Sequence, residues 1–288
     1  MSDKYELEIN NSGDTIGNAA GSGQLEVVRM FGLYNMRYNL RHYFAEFFGT
    51  MVLLFFGNTV VANVVLNPDL ATESWVLITL GWGFGLAMAL YISMGNSGGH
   101  LNPAVTIAAA VYGKFPWKKV PGYIFSQVLG AFMGAAFTYA VYRSRFTPFD
   151  GGVRTVTGNT ATGGIFCTYP DPNNTRWDSF FTEMLLTAIL VFCIQGFFDP
   201  KMTPAKGFEP VAVGLLVLTI GICAGKMTGY AINPARDLGP RIFTAVAGWG
   251  STPFTASNHY FWIPIVAPIV GAILGQGSYE LFIIPNLD

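Results

Sequence analysis

Long apolar segments alternate with short polar ones along most of this 288-residue chain. Six apolar segments approach the length of about 20 residues that a helix needs to cross a hydrocarbon core of roughly 30 Å. They lie at about residues 43–66, 75–94, 120–142, 180–198, 210–223 (extended by a few residues at either end) and 260–284. This pattern predicts an all-α protein that crosses a membrane six times.

The composition supports a membrane protein. The chain is 51% hydrophobic and only 11% charged, whereas a soluble domain carries about 25% charged residues. A net charge of −1 gives no electrostatic attraction for nucleic acid. The three cysteines are dispersed, with no CxxC motif and no histidine cluster. The sequence therefore predicts neither a metal site nor a disulfide framework, and no cofactor is expected.

The N-terminal segment and the basic residues indicate how the chain is oriented in the membrane. Residues 1–40 are polar, rich in Asn, Gly and Ser, and lack the apolar segment of a signal peptide, which predicts a disordered tail. Lys and Arg are more numerous on the side of the membrane that holds this tail, for example at Lys114, Lys118 and Lys119. By the positive-inside rule both termini are cytosolic. We expect a multi-pass protein of the plasma membrane.

The two halves of the chain resemble each other. Ala45-Glu46-Phe47-Phe48-Gly49-Thr50 aligns with Thr182-Glu183-Met184-Leu185-Leu186-Thr187, and each half contains three spans and one Asn-Pro-Ala tripeptide in the same order. Three spans per half require the halves to insert with opposite orientation, which is an inverted-topology repeat. The prediction is a first repeat at about 41–142, an outer loop at about 143–177 and a second repeat at about 178–288.

The tripeptides Asn102-Pro103-Ala104 and Asn233-Pro234-Ala235 each begin a short helical segment. Asn suits the N-cap position and Pro the first turn, where its missing N–H is not needed. The first segment ends near Gly113 and the second near Ala245. Each helix would be roughly 15 Å long at 1.5 Å per residue, which is half a bilayer. We expect two re-entrant half-helices that enter from opposite sides and meet at the midplane.

The segments before the tripeptides, residues 97–101 and 228–232, are not helical in pattern. Such backbone is tolerated at membrane depth only where it lines a watery path or is buried in protein. Its carbonyl oxygens would accept hydrogen bonds along a pore, and the amides of Asn102 and Asn233 would donate them. The positive ends of two helices would oppose cations and protons. A pair of ordinary N-caps on surface helices would not explain two identical copies within a repeat.

At these residues the chain resembles the major intrinsic protein (aquaporin) family. The matching motifs are Ala45-Glu46-Phe47, the segment from Ser97 to Thr106 and the segment from Gly229 to Asp237. The resemblance covers roughly residues 41–285, so that 41–288 would form the channel domain. It implies six tilted helices, two half-helices, a pore in each subunit and a homotetramer surrounded by membrane lipid.

Further residues resemble the glycerol-conducting branch, the aquaglyceroporins. They are Asp237 directly after Arg236, the following Leu238-Gly239-Pro240-Arg241, Pro264-Ile265 and the long loop at 143–177. The resemblance implies a selectivity filter of Trp75, Gly221, Tyr230 and Arg236. Arg236 would donate hydrogen bonds to hydroxyl groups, the two aromatic rings would face the carbon side of a polyol, and Gly221 would leave the space that a His fills in water-selective members.

Two alternatives stay open for Trp75. A shift of one residue would place Val76 in the filter instead, and a tryptophan near a span end also suits the interfacial belt.

The resemblance further implies that Glu46 and Glu183 brace the two loops by accepting hydrogen bonds from backbone N–H groups.

Asp237, His100 and a polar tripeptide of the outer loop lie outside the predicted filter. Asp237 would pair with Arg236 or Arg241, or accept from loop N–H groups, because an unpaired charge is costly in a membrane. His100 suits loop packing better than a pH gate. Asn173-Asn174-Thr175 would be a glycosylation acceptor if its loop faces outward.

The sequence therefore predicts a passive channel for glycerol and other small uncharged solutes, such as small polyols or urea. It would also conduct water and exclude ions and protons. The alternatives are a water-selective channel of the same fold, a secondary carrier, and a membrane enzyme. A carrier would use Glu46, Glu183 or Asp237 to bind ions, but each has a structural explanation. An enzyme would need a nucleophile–base pair or a metal set, which the sequence does not offer.

Overall fold

The computed structural model describes residues 34–67, 69–70 and 74–284, so residues 1–33 of the tail predicted at 1–40 lie outside the described residues. Every regular element within these ranges is helical. The α-helices are α1 (Tyr34–Val65), α2 (Ser74–Ser97), α3 (Pro103–Val111), α4 (Val120–Asp150), α5 (Arg176–Phe198), α6 (Glu209–Ala224), α7 (Pro234–Thr244), α8 (Thr252–His259) and α9 (Ile263–Phe282).

Six segments of the described chain are long and apolar enough to span a membrane. They are Asn35–Val65, Ser74–Ser97, Trp117–Asp150, Arg176–Phe198, Glu209–Met227 and Thr252–Phe282. The predicted all-α, six-span fold is confirmed. Its helix ends differ from the prediction, because helices continue past the apolar stretch that reveals them.

Helix α1 begins at Tyr34, so the last residues assigned to the tail are helical. Helix α4 extends beyond the expected end at residue 142 to Asp150. It ends where Gly151 adopts a left-handed conformation, with φ of 64°, and its N–H donates to Thr147 O. A glycine at this position is the usual stop signal of a helix.

The two short helices α3 and α7 begin at the prolines of the tripeptides. Asn102 Oδ1 accepts a hydrogen bond from Ala104 N at 2.9 Å, and Asn233 Oδ1 accepts from Ala235 N at 3.0 Å. Both asparagines are therefore N-caps of the predicted type. Helix α3 ends at Val111 with Tyr112 as its C-cap, and Gly113 follows with φ of 71°.

Equivalent glycine contacts recur in the two halves. A Cβ at Gly130 or Gly134 of α4 would overlap a backbone carbonyl of α1, and a Cβ at Gly271 or Gly275 of α9 would overlap a backbone carbonyl of α5. Small residues let membrane helices approach this closely. The same packing in both halves follows from the inverted repeat.

Helices α2 and α6 cross where the two repeats meet. A Cβ at Gly83 would lie 2.7 Å from Gly214 O, and a Cβ at Gly214 would lie 2.5 Å from Gly83 O. Only glycine permits this approach of two backbones. Residues of both helices line the cavity described next, among them Leu86 of α2 and Val213 of α6.

Candidate pore and selectivity filter

The two half-helices meet at their N-termini. Asn102 Nδ2 donates to Ile232 O, and Asn233 Nδ2 donates to Leu101 O, each at 2.8 Å. Each asparagine thus caps its own helix with its amide oxygen and holds the opposite loop with its amide nitrogen. This crossed pair joins α3 and α7 into one interrupted span.

The loops that lead to the half-helices have strained backbone. Leu101, Tyr230 and Ile232 are non-glycine residues with φ of 49°, 38° and 43°. Such left-handed conformations are uncommon outside glycine and persist only where neighbouring groups hold them. Gly229, which directly precedes Tyr230 in the chain, also has a left-handed conformation, with φ of 78°.

Two buried carboxylates hold these loops. Glu46 accepts hydrogen bonds from His100 N at 3.0 Å and Leu101 N at 2.7 Å. Glu183 accepts in the same way from Ala231 N at 2.9 Å and Ile232 N at 2.8 Å. Both carboxylates are fully buried. They satisfy buried backbone N–H groups of both loops.

The sequence analysis did not identify the residues that support Glu46. Gln127 Nε2 donates to Glu46 Oε2 at 2.7 Å and to Thr106 Oγ1 at 3.0 Å. Ser97 Oγ donates to Glu46 Oε1 at 2.6 Å. A polar glutamine in the middle of an apolar span was the signal that could have revealed this role, because such residues rarely lie in membrane spans without a partner.

His100 packs within the first loop. Its Nδ1 lies 3.1 Å from Thr106 Oγ1, and its ring contacts the rings of Phe115 and Tyr123 at 4.9 and 5.3 Å between centroids. Tyr123 OH in turn donates to Ser97 O at 2.9 Å. These contacts hold the loop in addition to those of Glu46.

A cavity of about 240 Å³ runs along the half-helix junction. Apolar side chains of α1, α2, α5 and α6 line it, among them Leu53, Leu86, Leu190 and Val213. The loops around Leu101 and Ile232, the two asparagines and Arg236 line it as well. The cavity lining therefore combines hydrogen-bonding groups with hydrocarbon.

Arg236 and Trp82 face each other in this cavity. The Arg236 guanidinium lies 4.0 Å from the centroid of the Trp82 ring, and Arg236 Nη1 donates to Phe166 O at 3.1 Å. Arg236 is 8% exposed. Both residues line the cavity together with Tyr230.

Trp75, which the resemblance places in the filter, contacts two other predicted filter residues, and its place in the filter stays a prediction. Its Nε1 donates to Gly221 O at 3.0 Å and its ring contacts Tyr230, but it is absent from the cavity wall, where Trp82 lies instead. The alternative, Val76, is 53% exposed. Seven residues are about two helical turns, so Trp75 and Trp82 share a face of α2 and differ in level by roughly 10 Å. The sequence pattern indicates which face of α2 carries the tryptophans, but it does not indicate which of the two lies at the depth of the cavity.

Gly221 lies behind the Tyr230 ring rather than on the cavity wall. A Cβ at Gly221 would lie 2.8 Å from Tyr230 Cζ and 2.8 Å from Thr79 Cγ2. Gly221 therefore provides the space in which the Tyr230 ring sits. The Trp75 ring also contacts the Tyr230 ring, with 5.9 Å between the two centroids.

Asp237 pairs with Arg241 one turn further along α7. Arg241 Nε donates to Asp237 Oδ1 at 2.7 Å, and both side chains are almost fully buried. Asp237 Oδ2 accepts from Thr168 N at 2.8 Å and Thr168 Oγ1 at 2.7 Å. Of the partners considered for Asp237, the structure shows Arg241 and a loop N–H, and the pair fixes the outer loop on α7.

Asn173 lies in the outer loop directly before α5 and is exposed. Its Nδ2 donates to Asp171 Oδ1 at 3.0 Å. Thr175 of the same tripeptide forms a capping box with Asp178 at the start of α5. Glycosylation of Asn173 stays a prediction.

A helical membrane bundle with two half-helices meeting inside an amphipathic cavity defines a transmembrane pore. Residues 34–279 match the Major intrinsic protein family, and the chain belongs to that family. The resemblance stated from the motifs is confirmed.

Similar proteins carry related names. The chain is 50% identical over 248 residues to Aquaglyceroporin-3 of Trypanosoma brucei brucei, covering 86% of this chain and 80% of that protein. It is 44% identical over 282 residues to Aquaglyceroporin-2 of Rhizophagus irregularis, covering 97% and 89%. The X-ray structure of the aquaglyceroporin from Plasmodium falciparum matches with a TM-score of 0.77 at 35% identity, covering 85% of this chain and 97% of that one.

Proposed function

We propose that this protein is a passive transmembrane channel for glycerol and other small uncharged solutes, including small polyols or urea, and that it also conducts water. The observation that carries the proposal is the contact of the Arg236 guanidinium with the Trp82 ring, 4.0 Å from its centroid, in a cavity that Tyr230 also lines. A polyol has hydroxyl groups on one edge and carbon on the other. It matches a cavity whose lining combines hydrogen-bond donors with aromatic rings and aliphatic side chains.

The filter in this proposal consists of Trp82, Gly221, Tyr230 and Arg236. Guanidinium N–H groups not directed at Phe166 would donate to solute hydroxyls, and the rings of Trp82 and Tyr230 would contact the carbon skeleton. Gly221 acts by seating Tyr230. The names of the similar aquaglyceroporins agree with glycerol as a solute.

Exclusion of ions and protons belongs to the same proposal. A cation in the pore would meet the buried Arg236 and then the N-termini of α3 and α7, both of which carry positive potential. The amide nitrogens of Asn102 and Asn233 are fixed as donors by their bonds to Ile232 O and Leu101 O. A passing oxygen would therefore act as an acceptor at the centre, which opposes a continuous proton relay.

A secondary carrier is disfavoured by the partners of the buried acids. Glu46 and Glu183 accept from loop N–H groups, and Asp237 is paired with Arg241. A coupling ion would have to displace these bonds. A water-selective channel is disfavoured by Gly221, because a His at that position would collide with Tyr230.

The remaining parts of the proposal concern assembly and location. Large apolar side chains are exposed on the spans, for example Phe84 at 57%, Phe125 at 68% and Phe181 at 57%. Lipid and neighbouring subunits of a homotetramer would cover such a surface. We place the protein in the plasma membrane with both termini cytosolic, acting as a channel and not as an enzyme.

Transport assays on proteoliposomes separate a channel from a carrier. For a channel, glycerol flux rises in proportion to the glycerol gradient and is unchanged when sodium and proton gradients are removed. Saturation at low glycerol, accelerated exchange in counterflow, or a requirement for an ion gradient would overturn the proposal. Liposomes without protein and liposomes with the Arg236→Val variant serve as controls.

A further inference from the structure

Asn58 is a fully buried polar residue in the apolar helix α1. With its amide nitrogen turned toward the outer loop, it donates to Ile165 O and Phe166 O, each at 3.3 Å. The opposite orientation would set its amide oxygen against two carbonyl oxygens, with no donor between them. Asn58 therefore links α1 to the loop segment that contains Ile165 and Phe166.

Phe166 O is also the group that holds Arg236. Arg236 Nη1 donates to it at 3.1 Å, and within residues 34–67, 69–70 and 74–284 it is the acceptor that the guanidinium contacts. A carbonyl oxygen has two lone pairs and can accept from both donors at once. One oxygen thus connects Asn58 on α1 to Arg236 on α7.

The side chain of Phe166 is anchored separately. Its ring stacks on Phe146 at 6.0 Å and contacts Phe243 and Trp249 at 5.5 and 5.6 Å. These contacts fix the position of the residue. The direction of its carbonyl depends on rotation of the peptide plane, and therefore on the hydrogen bonds that the oxygen accepts.

We propose that Asn58 is a positioning residue of the filter: it fixes the Phe166 carbonyl, which sets the Arg236 guanidinium against Trp82 and so limits the size of the polyol that passes. The inference rests on the proposed function, because it assigns Asn58 a role in the selectivity of that pore. Asn58 is not among the residues that line the cavity.

The test uses Asn58→Leu, which keeps the number of side-chain heavy atoms and removes both amide N–H donors. The matched control is Thr59→Val, the next residue of α1, whose hydroxyl lies 3.1 Å from Thr138 Oγ1 on α4. Proteoliposomes that contain equal amounts of each channel are tested for permeability to water, glycerol and the longer polyol erythritol. Melting temperatures of the purified proteins are measured in parallel.

Asn58→Leu should raise the erythritol-to-glycerol permeability ratio by about two- to tenfold, the factor that corresponds to the net contribution of one hydrogen bond. Thr59→Val should leave the ratio unchanged. An unchanged ratio in Asn58→Leu, or an equal loss of all three permeabilities, would overturn the inference, since either result describes a merely structural residue. If Asn58→Leu does not fold, Asn58→Thr replaces it, because a threonine hydroxyl bonds to its own helix and the same rise is expected.

The Arg236→Val variant separates the two proposals. If Arg236→Val changes the polyol ratio and Asn58→Leu does not, the role of Asn58 is wrong and the filter stands. If neither changes it, the filter and the role of Asn58 are both wrong. In the double variant the effect of Asn58→Leu should disappear, because a residue that acts through Arg236 has no effect once Arg236 is gone.

Discussion

Gly221→Ala tests whether the seat of the Tyr230 ring sets the width of the pore. The added Cβ would lie 2.8 Å from Tyr230 Cζ and 2.8 Å from Thr79 Cγ2. Carbon atoms pack at about 3.5–4.0 Å, so the ring must move by roughly 0.7 Å. Thr79 blocks part of the space behind the Tyr230 ring. We therefore expect the Tyr230 ring to move toward the cavity.

The size of the effect follows from the cost of overpacking. Extra methyl groups in a packed site cost about 1–3 kcal/mol. A passing solute must push the Tyr230 ring back against the added methyl group, which adds this free energy to the barrier for passage. The passage then becomes roughly 5- to 150-fold slower. Glycerol should be affected over this range, whereas water, which needs less width, should lose less.

Stopped-flow light scattering on proteoliposomes measures both permeabilities on the same sample. Gly95→Ala is the matched control, because a Cβ at Gly95 of α2 has no atom within 4 Å. Tyr230→Leu combined with Gly221→Ala should restore glycerol flux by removing the ring that was displaced. Equal losses of water and glycerol in Gly221→Ala, or no rescue in the double variant, would refute the reasoning.

Three further predictions concern the scaffold and the filter. Glu183→Gln leaves a loop N–H such as that of Ile232 without its acceptor, so the free energy of unfolding should fall by about 1–3 kcal/mol, seen as a lower melting temperature; an unchanged melting temperature would contradict the brace. Arg241→Ala should leave a buried carboxylate unpaired and lower stability by about 3–5 kcal/mol, measured as loss of monodisperse protein on gel filtration; wild-type yield and profile would count against the buried pair. Trp82→Ala should change the polyol-to-water permeability ratio more than Trp75→Ala does, and the reverse order would favour Trp75 as the filter residue.

The spans and half-helices could be predicted from the sequence because they are local features. An apolar run of sufficient length reveals a span, and Asn-Pro followed by small apolar residues reveals a capped half-helix. The ends of α1 and α4 could not be predicted in the same way. Polar residues near Arg143 continue α4 outside the apolar stretch until Gly151 ends it.

The filter could be predicted only in part, because it is assembled from residues far apart in the chain. Arg236 and Tyr230 lie in the segment around the second tripeptide that carries the family resemblance, and the resemblance implied their place in the filter. Trp82 could not be told apart from Trp75, because both lie on the same face of α2. Gln127 and Asn58 gave a signal, a polar amide within an apolar span, but their partners lie tens of residues away and only the fold reveals them.

The central claim is that the pore passes a polyol, and glycerol permeability tests it most directly. Proteoliposomes that contain the full chain are mixed with an inward glycerol gradient, and their re-swelling is followed by light scattering. The account predicts re-swelling that is much faster than in protein-free liposomes and that is strongly reduced by Gly221→Ala. Fast water flux with glycerol re-swelling no faster than in protein-free liposomes would contradict it.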